Sequence, residues 1–388
     1  MKAVATALTT LLVLTACAPD DEPAGPADPS TSAPTVGSSG SAVESPGGSR
    51  PPSPSQEAPQ RAQPARPRVA GTVAQGLEVP WGIAFLPNGR ALVTERDSTR
   101  VLEIPAHGGS TRTIGRMDAA QPQGEAGVLG IAVSPDFEDD SLVFVYLTTA
   151  EDNRVVRMEY DGRRLGEPEV VLDGIPNGFI HDGGRLGFGP DGHLYVSTGE
   201  TGEGELAQDR ASLGGKILRI TPDGEPAPGN PFADSPVWTW GHRNVQGLAF
   251  DERDRLWASE LGASTWDELN LIEPGDNYGW PRVEGRGGQE GFRDPLAQWS
   301  TSDASPSGLA YAEGSLWMAG LRGERLWRIP VRSGGGIGQP EAFFVGEYGR
   351  LRTVVVAPDG SLWLATSNRD GRGRPAGEDD RILRVTLR

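Results

Sequence analysis

A short hairpin-like motif recurs along this chain and limits its fold more than any other feature of the sequence. Each copy joins an apolar residue, a turn of the Pro-Asp-Gly type and a second apolar run that usually contains an aromatic residue. Proline presets the backbone for such a turn and glycine accepts the positive φ that ends it, so each copy is typical of a β-hairpin. The copies begin at Phe85, Val133, Phe188, Phe250, Tyr311 and Val356.

The spacing of these copies predicts how the hairpins are arranged. Aligned positions in the second runs recur at the spacing of propeller blades once the irregular copy at Val133 is placed between the first two. These positions are Leu92, Tyr195, Trp257, Trp317 and Trp363. The runs favour strands and helical periodicity is almost absent. We therefore predict an all-β chain folded as a six-bladed β-propeller, with a β-sandwich or two smaller β domains as the alternative.

The charge balance of the chain excludes one class of partner. The 388 residues carry a formal net charge of −17, whereas nucleic-acid binding needs a basic surface. No glycine loop of the Walker or dinucleotide-binding type is present either. Lys2 and Lys216 are the only lysines, so a cluster of arginines has to be judged by its position.

The first residues predict export. Residues 1–16 have the pattern of a secretory signal peptide, with Lys2 ahead of an apolar stretch too short to span a membrane. The run Leu-Thr-Ala-Cys at 14–17 resembles a bacterial lipoprotein box, which implies cleavage before Cys17 and lipidation of its sulfur. We expect a lipoprotein at the outer face of the cell membrane; a secreted protein with a chance cysteine is the alternative.

The composition then changes twice. Residues 17–67 are rich in Pro, Ser, Gly, Ala and acidic side chains, which predicts a disordered tether because so little apolar surface can be buried. The propeller domain is predicted to occupy 68–388. The final run, at 381–387, predicts a strand that is a candidate to close the propeller with the start of the domain, although the sequence leaves its pairing open.

The hairpin turns also predict where the chemistry lies. Residues just before the first strand of a blade, or just after its second, lie at the end opposite the Pro-Asp-Gly turn. His181, suited to proton transfer near neutral pH, falls at that end together with several arginines, whose forks match carboxylates. We therefore expect a ligand with more than one carboxylate or phosphate on this face. The alternatives are a loop histidine without a task and, for Arg350 and Arg352, a solvated surface pair.

Longer motifs carry a resemblance to a known family. They are GHRNVQGLAF at 241–250 and DELNLIEPGDNYGWP at 267–281, with support from GEAGVLGIAVSPDF at 124–137, HDGGRLGFGPDG at 181–192 and GRLRTVVVAPDG at 349–360. Over about residues 77–385 the chain resembles the soluble quinoprotein sugar dehydrogenases of the glucose/sorbosone dehydrogenase family. The resemblance implies a six-bladed propeller, in agreement with the repeats.

The resemblance also implies an activity and a site. The activity is oxidation of an aldose at its anomeric carbon to the lactone, with pyrroloquinoline quinone and calcium as cofactors and His181 as general base. The implied cofactor-binding residues are Glu125, Arg243, Asn244, Arg322, Arg350 and Arg352. Main-chain carbonyls of Gly262 and Ala263 would hold an active-site calcium, and Glu268 with the main chain of Tyr278 a further one. The three carboxylates of the quinone would supply the anion that the arginines predict.

The chain departs from the glucose-oxidising members of the family at several positions. Glu125 stands where they have glutamine, which puts a negative charge near an anionic cofactor unless calcium or an arginine offsets it. Arg322 replaces a lysine, Ile180 replaces an aspartate ahead of the base, and Ala263 replaces a proline. The sequence resembles the shorter aldose dehydrogenases more closely, and it leaves the sugar open.

Two other functions are compatible with a six-bladed propeller. A calcium-dependent lactone hydrolase would need carboxylates and asparagine around one metal at the channel, and a non-catalytic binding propeller would give His181 no role. As a dehydrogenase, the protein would take an aldose substrate and pass electrons to an external acceptor, a quinone or a cytochrome. The sequence carries no signal of an oligomer, and we expect a monomer.

Overall fold

The chain forms a closed ring of six β-sheets. The computed structural model describes residues 66–388, and it confirms the predicted all-β six-bladed propeller, with six antiparallel sheets of four strands each. The predicted signal peptide, Cys17 and all but the last two residues of the predicted tether lie outside the described residues. Within 66–388 no helix has the length and hydropathy to cross a membrane.

The first three blades follow one another along the chain, and each runs outward from the ring centre. Blade 1 contains β2 (Pro80–Phe85), β3 (Ala91–Glu95), β4 (Arg100–Ile104) and β5 (Arg112–Arg116). Blade 2 contains β6 (Val128–Val133), β7 (Leu142–Thr148), β8 (Asn153–Glu159) and β9 (Glu169–Ile175), with α1 (Phe137–Asp140) inserted in its first turn. Blade 3 contains β10 (Leu186–Phe188), β11 (Leu194–Ser197), β12 (Lys216–Ile220) and β13 (Val237–Trp240), with the 3₁₀ turn Gly204–Ala207 before β12.

The last three blades repeat this order. Blade 4 contains β14 (Val245–Phe250), β15 (Leu256–Glu260), β16 (Trp266–Ile272) and β17 (Ala297–Ser300). Blade 5 contains β18 (Pro306–Ala312), β19 (Ser315–Gly320), β20 (Arg325–Pro330) and β21 (Glu341–Phe343). Blade 6 contains β22 (Leu351–Val356), β23 (Leu362–Thr366) and β24 (Arg381–Leu387), and its fourth strand is β1 (Pro67–Gln75).

Blade 6 closes the ring, because it joins the two ends of the domain. Strand β1 pairs with β24 in antiparallel register from Pro67 opposite Leu387 to Gln75 opposite Arg381. This settles the pairing that the sequence left open for the final run. Both ends of the domain thereby contribute to one blade, which closes the ring between blades 6 and 1.

Apolar side chains fill the space between neighbouring blades. Six core clusters are present in the described residues, one at each interface between blades. The recurring aromatic residues lie in them: Trp257, Trp317 and Trp363 are at most 2% exposed and hold the same register position in β15, β19 and β23. Replacing one of these indoles by alanine is expected to destabilise the fold by about 3–5 kcal/mol.

The first strands of the blades line the ring centre and approach one another closely. A Cβ built on Gly130 of β6 would lie 2.1 Å from the carbonyl oxygen of Gly184, and one on Gly308 of β18 would lie 2.8 Å from the Cα of Thr353. Only glycine permits such contacts between backbones. Polar residues at the ends of these strands are therefore held within a narrow ring.

Candidate functional site

A cavity of about 330 Å³ opens on the face predicted to carry the chemistry. Its lining comes from blades 2, 4, 5 and 6, and it consists of Glu125, Gln246, Leu261, Ser305, Leu321, Arg322, Arg350, Arg352 and Arg372. All of these lie at the start of a first strand, after a second strand or in the loops beside them. The volume is at the lower end of the range for ligand pockets.

Two of the lining arginines share one carboxylate. Arg350 Nε lies 2.9 Å from Asp370 Oδ2, and Arg352 Nη2 lies 3.4 Å from the same oxygen. Burial alone would raise the pKa of Asp370, but the charges of Arg352 and Arg350 outweigh it and hold that pKa below its usual value. Arg350 and Arg352 were predicted together from the sequence, whereas Asp370 as their common partner was not.

The cavity holds more buried positive charge than its carboxylates balance. Burial, with Arg96 and Arg350 nearby, lowers the pKa of Arg352 to about 10. Behind it, burial and the charge of Arg352 lower the pKa of Arg185 to about 9, and within 66–388 the Arg185 guanidinium donates only to Gln246 O and Thr353 Oγ1. Buried cations of this kind require an anion to offset the loss of hydration. The site is therefore electrostatically suited to a polyanion.

His181 lies beside this cavity in a conformation fixed by its neighbours. Its φ is 60°, inside the Gly-rich segment before β10. A Cβ on Gly199 would lie 1.8 Å from the His181 carbonyl oxygen, so a glycine there lets the segment after β11 pass close to His181. That segment carries Glu200, whose Oε1 lies 2.5 Å from His181 Nδ1. Both side chains are nearly buried, at 11% and 3% exposed.

The partners of the imidazole define its protonation pattern. Arg243 Nη2 lies 2.9 Å from His181 Nε2, and a guanidinium can only donate. Nε2 is therefore the acceptor, and Nδ1–H donates to Glu200. In this tautomer Nε2 is the nitrogen that could accept a proton from a ligand that takes the place of Arg243, as a general base has to do. Glu200 follows β11 and therefore lies at this end of the blade, but no sequence motif marked it as a partner of the histidine.

Arg243 connects the histidine with a main-chain carbonyl. Its Nη1 also donates to Gly262 O at 2.5 Å and to Leu261 O at 3.1 Å. The Trp280 ring lies beneath the guanidinium, with its centroid 5.4 Å away. Burial lowers the pKa of Arg243, while the nearby carboxylates of Glu200 and Glu260 oppose this shift.

Glu125 and Asn244 lie on the other side of His181. Glu125 Oε2 accepts from the His181 backbone N–H at 3.1 Å and is 3.5 Å from Asn244 Nδ2, while its Oε1 is 2.7 Å from Arg372 Nη1. Asn244 is fully buried, and its Oδ1 accepts from the backbone of Gly183. The side chain of Asn244 therefore orients the histidine segment as well as facing Glu125.

A second polar group lies in blade 4, and we call Glu260, Glu268 and Asn270 the blade-4 cluster. Glu260 and Glu268 pair across β15 and β16, and Asn270 Nδ2 donates to Glu268 at 3.0 Å. Asn270 Oδ1 is buried without a hydrogen-bond partner in the described residues. Burial first, and then the charge of Glu260, raise the pKa of Glu268 to about 8. The Tyr278 ring adjoins the cluster, stacked on His242, which contacts Glu260 at 2.8 Å.

The structure gathers most of the sequence-predicted residues but divides them between two places. Glu125, Arg322, Arg350 and Arg352 line the cavity. Arg243 contacts His181, Gly262 contacts Arg243, and Asn244 contacts Glu125. Glu268 and Tyr278 belong to the blade-4 region, and the backbone N–H of Ala263 donates to Glu284. Arg322 is exposed at the rim and makes no ion pair within 66–388. Sequence reasoning missed Arg372, whose signal was its place two residues beyond the Asn-Arg-Asp run after β23.

Comparison with known proteins identifies the family to which this propeller belongs. A family model described as Glucose / Sorbosone dehydrogenase matches residues 77–383, nearly the whole propeller. The chain belongs to the glucose/sorbosone dehydrogenase family. This bears out the resemblance that the sequence motifs carried.

Several known proteins are similar to this chain over most of its length. The PQQ-bound form of an aldose sugar dehydrogenase from Streptomyces coelicolor has a TM-score of 0.82 and 59% identity, covering 84% of this chain and 98% of that one. The uncharacterized protein slr1608 of Synechocystis is 34% identical, over 77% of this chain and 84% of its own. The aldose sugar dehydrogenase YliI of Escherichia coli is 27% identical, over 76% and 89%.

Proposed function

We propose that this protein is a dehydrogenase that oxidises aldose sugars with pyrroloquinoline quinone. The observation that carries the proposal is the arginine-lined cavity beside a histidine whose Nε2 is an acceptor. Family membership supports it, as does similarity to a PQQ-bound aldose sugar dehydrogenase. The quinone carries three carboxylates, which fit a cavity with an excess of guanidinium groups.

The residues present fit that cofactor by charge and shape. Asp370 is the one carboxylate that Arg350 and Arg352 contact within 66–388, and although Arg352 also donates to Ser367 and Gln246, both guanidinium groups retain N–H donors for a ligand carboxylate. Arg322 at the rim and Asn244 beside Glu125 would be the other residues that bind the cofactor. When bound, pyrroloquinoline quinone supplies the acceptor for the hydride of the anomeric carbon.

His181 takes the proton in this proposal. The Nε2 lone pair would accept the proton of the anomeric hydroxyl, and loss of that proton and of the hydride converts the sugar to its lactone. Glu200 stabilises the imidazolium through Nδ1. Because Arg243 Nη2 contacts Nε2, a sugar hydroxyl has to replace that donor before it can reach the base. Arg243 would then be free to bind a ligand carboxylate.

Calcium fits the oxygen donors of the chain at two places. The buried Asn270 Oδ1 has no hydrogen-bond partner within 66–388, and Asn270 contacts Glu268, whose pKa is raised to about 8 by burial and by the charge of Glu260. Calcium prefers carboxylate, amide and carbonyl oxygens, so Glu268 and the main chain of Tyr278 are suitable ligands. Beside Arg243, the carbonyls of Gly262 and Ala263 would hold an active-site ion that polarises the cofactor, with Arg243 released from Gly262.

The other functions compatible with the fold lack support from the side chains. A calcium-dependent lactone hydrolase needs carboxylates around a metal at the channel, but no three His, Cys, Asp or Glu side chains in 66–388 form such a group. The channel mouth is instead lined by arginines. A purely binding propeller would not need Glu200 to orient a buried histidine.

The test separates cofactor binding from the reaction. The purified full-length protein would be titrated with pyrroloquinoline quinone in the presence of calcium, and a panel of aldoses would then be added while reduction of the cofactor is followed by absorbance. We expect stoichiometric binding, sugar-dependent reduction and a lactone product trapped by hydroxylamine. His181→Ala should keep binding and lose reduction.

His193→Ala is the matched control, because His193 lies in the turn at the opposite end of blade 3. Equal losses in both variants would refute the base assignment. Failure of the wild-type protein to bind the quinone would refute the proposal as a whole.

We further propose that the propeller acts as a monomer outside the cytoplasmic membrane, anchored through lipidated Cys17, and passes electrons to a quinone or cytochrome. The support is the lipoprotein-like run at 14–17. Cys17→Ser should release the protein from the membrane fraction into the medium or periplasm and abolish incorporation of labelled palmitate. Membrane retention of that variant would contradict the anchor.

A further inference from the structure

An ion pair across the cavity mouth joins two distant parts of the chain. Arg372 follows β23 in blade 6, and Glu125 precedes β6 in blade 2, 247 residues apart in sequence. Arg372 Nη1 and Glu125 Oε1 are 2.7 Å apart, and both residues line the cavity. The arginine side chain is 54% exposed, and that of Glu125 only 14%.

Each partner is held in place by other contacts. The backbone N–H of Arg372 donates to Asp370 Oδ1 at 3.0 Å, and Asp370 in turn binds Arg350 and Arg352. The second oxygen of Glu125 accepts from the His181 backbone N–H. The pair therefore links the arginines of the cavity to the segment that carries the histidine.

The charge of Glu125 opposes the ligand that this cavity suits. It is the only carboxylate that lines the cavity among the described residues, and it faces a space where the other ionised groups are arginines. Burial alone would raise the pKa of Glu125, but the hydrogen bond from Arg372 and that from the His181 backbone hold it below the usual value. Glu125 is consequently an anion at neutral pH, and only a nearby cation can cancel its repulsion of a polycarboxylate.

We propose that Arg372 is a further residue of the cofactor site, which offsets the charge of Glu125 and so allows this cavity to bind a polycarboxylate. The proposal rests on the proposed function, since it takes pyrroloquinoline quinone as the ligand. It assigns a role to a residue outside the motifs at 241–250, 267–281 and 349–360. It also explains how the site can tolerate Glu125, although a neutral side chain at that position would not repel the ligand.

Electrostatics sets the size of the expected effect. Two like unit charges about 6 Å apart, at an effective dielectric constant of about 20, repel strongly enough to weaken binding on the order of a hundredfold. Salt and the remaining arginines reduce that repulsion. We therefore expect Arg372→Gln to raise the Kd for the quinone at least about tenfold at low ionic strength, and less at high salt.

A double-mutant cycle tests the proposal by calorimetric titration of the full-length protein with pyrroloquinoline quinone, without any assay of activity. Glu125→Gln should bind as tightly as the wild type or more tightly, and the Glu125→Gln, Arg372→Gln double variant should return to within about threefold of the wild-type Kd. Arg372→Lys should retain most of the affinity, because it keeps the charge. Urea unfolding of each variant checks that the fold is intact.

Arg374→Gln is the matched control. Arg374 lies on the same loop, is exposed, makes no hydrogen bond or ion pair within 66–388 and does not line the cavity. If Arg372→Gln binds the quinone like Arg374→Gln, or if removal of Glu125 fails to rescue it, the proposal is wrong. Absence of binding by the wild-type protein would instead refute the proposed function, and this proposal with it.

Discussion

Replacing Glu200 by glutamine tests how the fold prepares His181 for proton transfer. Glu200 Oε1 is 2.5 Å from His181 Nδ1, and the carboxylate is almost fully buried. Glutamine keeps the size of the side chain but removes the charge. Its amide can also donate to Nδ1, which would move the imidazole proton to Nε2, the nitrogen that has to accept the sugar proton.

The structure allows the size of the effect to be worked out. A hydrogen bond to a charged group contributes about 1.5–3 kcal/mol, which corresponds to roughly 10- to 150-fold in rate. The change of tautomer adds to this loss, and a comparable carboxylate-to-amide change beside the histidine of a serine protease lowers kcat by about 10⁴. For Glu200→Gln we therefore expect kcat to fall at least about 100-fold, with the Kd for the quinone changed by less than about threefold, because Glu200 does not line the cavity.

The assay is steady-state oxidation of a saturating aldose by protein loaded with quinone and calcium, with cofactor occupancy measured separately. Glu203→Gln is the matched control, since Glu203 is exposed on the same loop and loses the same charge. A kcat of Glu200→Gln within a factor of three of the control would refute the reasoning. A parallel loss of quinone binding would show that Glu200 acts on the cavity and not on the base.

Three further outcomes follow from buried groups. Arg352→Met should weaken quinone binding at least about tenfold in a titration, yet change the free energy of unfolding of the ligand-free protein by less than about 1 kcal/mol, because removal of a desolvated cation is offset by loss of its contacts with Ser367 and with Asp370, which Arg350 still binds. Burial raises the pKa of Asp182 from 3.8 to about 7, so the free energy of unfolding of the wild-type protein should fall by at most about 4 kcal/mol as the pH rises from 4 to 7. In urea unfolding at pH 5 and 8, Asp182→Asn should show a smaller difference between the two pH values. Lys216→Met should lower the free energy of unfolding by about 3 kcal/mol in the same assay, since it leaves three main-chain carbonyls, those of Leu206, Ala207 and Gly214, without the donor that the buried Lys216 supplies.

The repeated elements of the fold could be predicted from the sequence because equivalent positions in successive blades pack in the same way. Trp257, Trp317 and Trp363 occupy one register position in successive second strands, and Phe144 takes that place in blade 2, where α1 interrupts the turn. The face of the site followed from the same logic, since it depends only on which end of a hairpin carries the turn. The pairing of β1 did not follow, because its sequence lacks the turn motif and only the opposite end of the chain supplies its partner.

The hydrogen-bond and ion-pair partners of the site residues could not be predicted from the sequence, for a different reason. Their contacts depend on how far loops reach across the ring, which no periodicity records. Glu200 meets His181 because Gly199 lets two segments pass at close range, and Arg372 meets Glu125 across blades 6 and 2. The family motifs located His181 and the arginine pair, but they did not reveal which carboxylates orient or neutralise them.

Closure of the ring explains how the fold keeps like charges together. Arg350, Arg352 and Arg372 all belong to blade 6, the blade completed by β1, and they face Glu125 and His181 in blades 2 and 3. The charges of Arg350 and of Arg96, which follows β3 in blade 1, act against that of Arg352, and a ring open between blades 6 and 1 could relieve the repulsion between Arg96 and Arg352 by letting the two blades move apart. The β1–β24 pairing prevents this movement. This repulsion is therefore retained in the folded protein, and a bound polyanion would relieve it. Binding of the cofactor would consequently also stabilise blade 6.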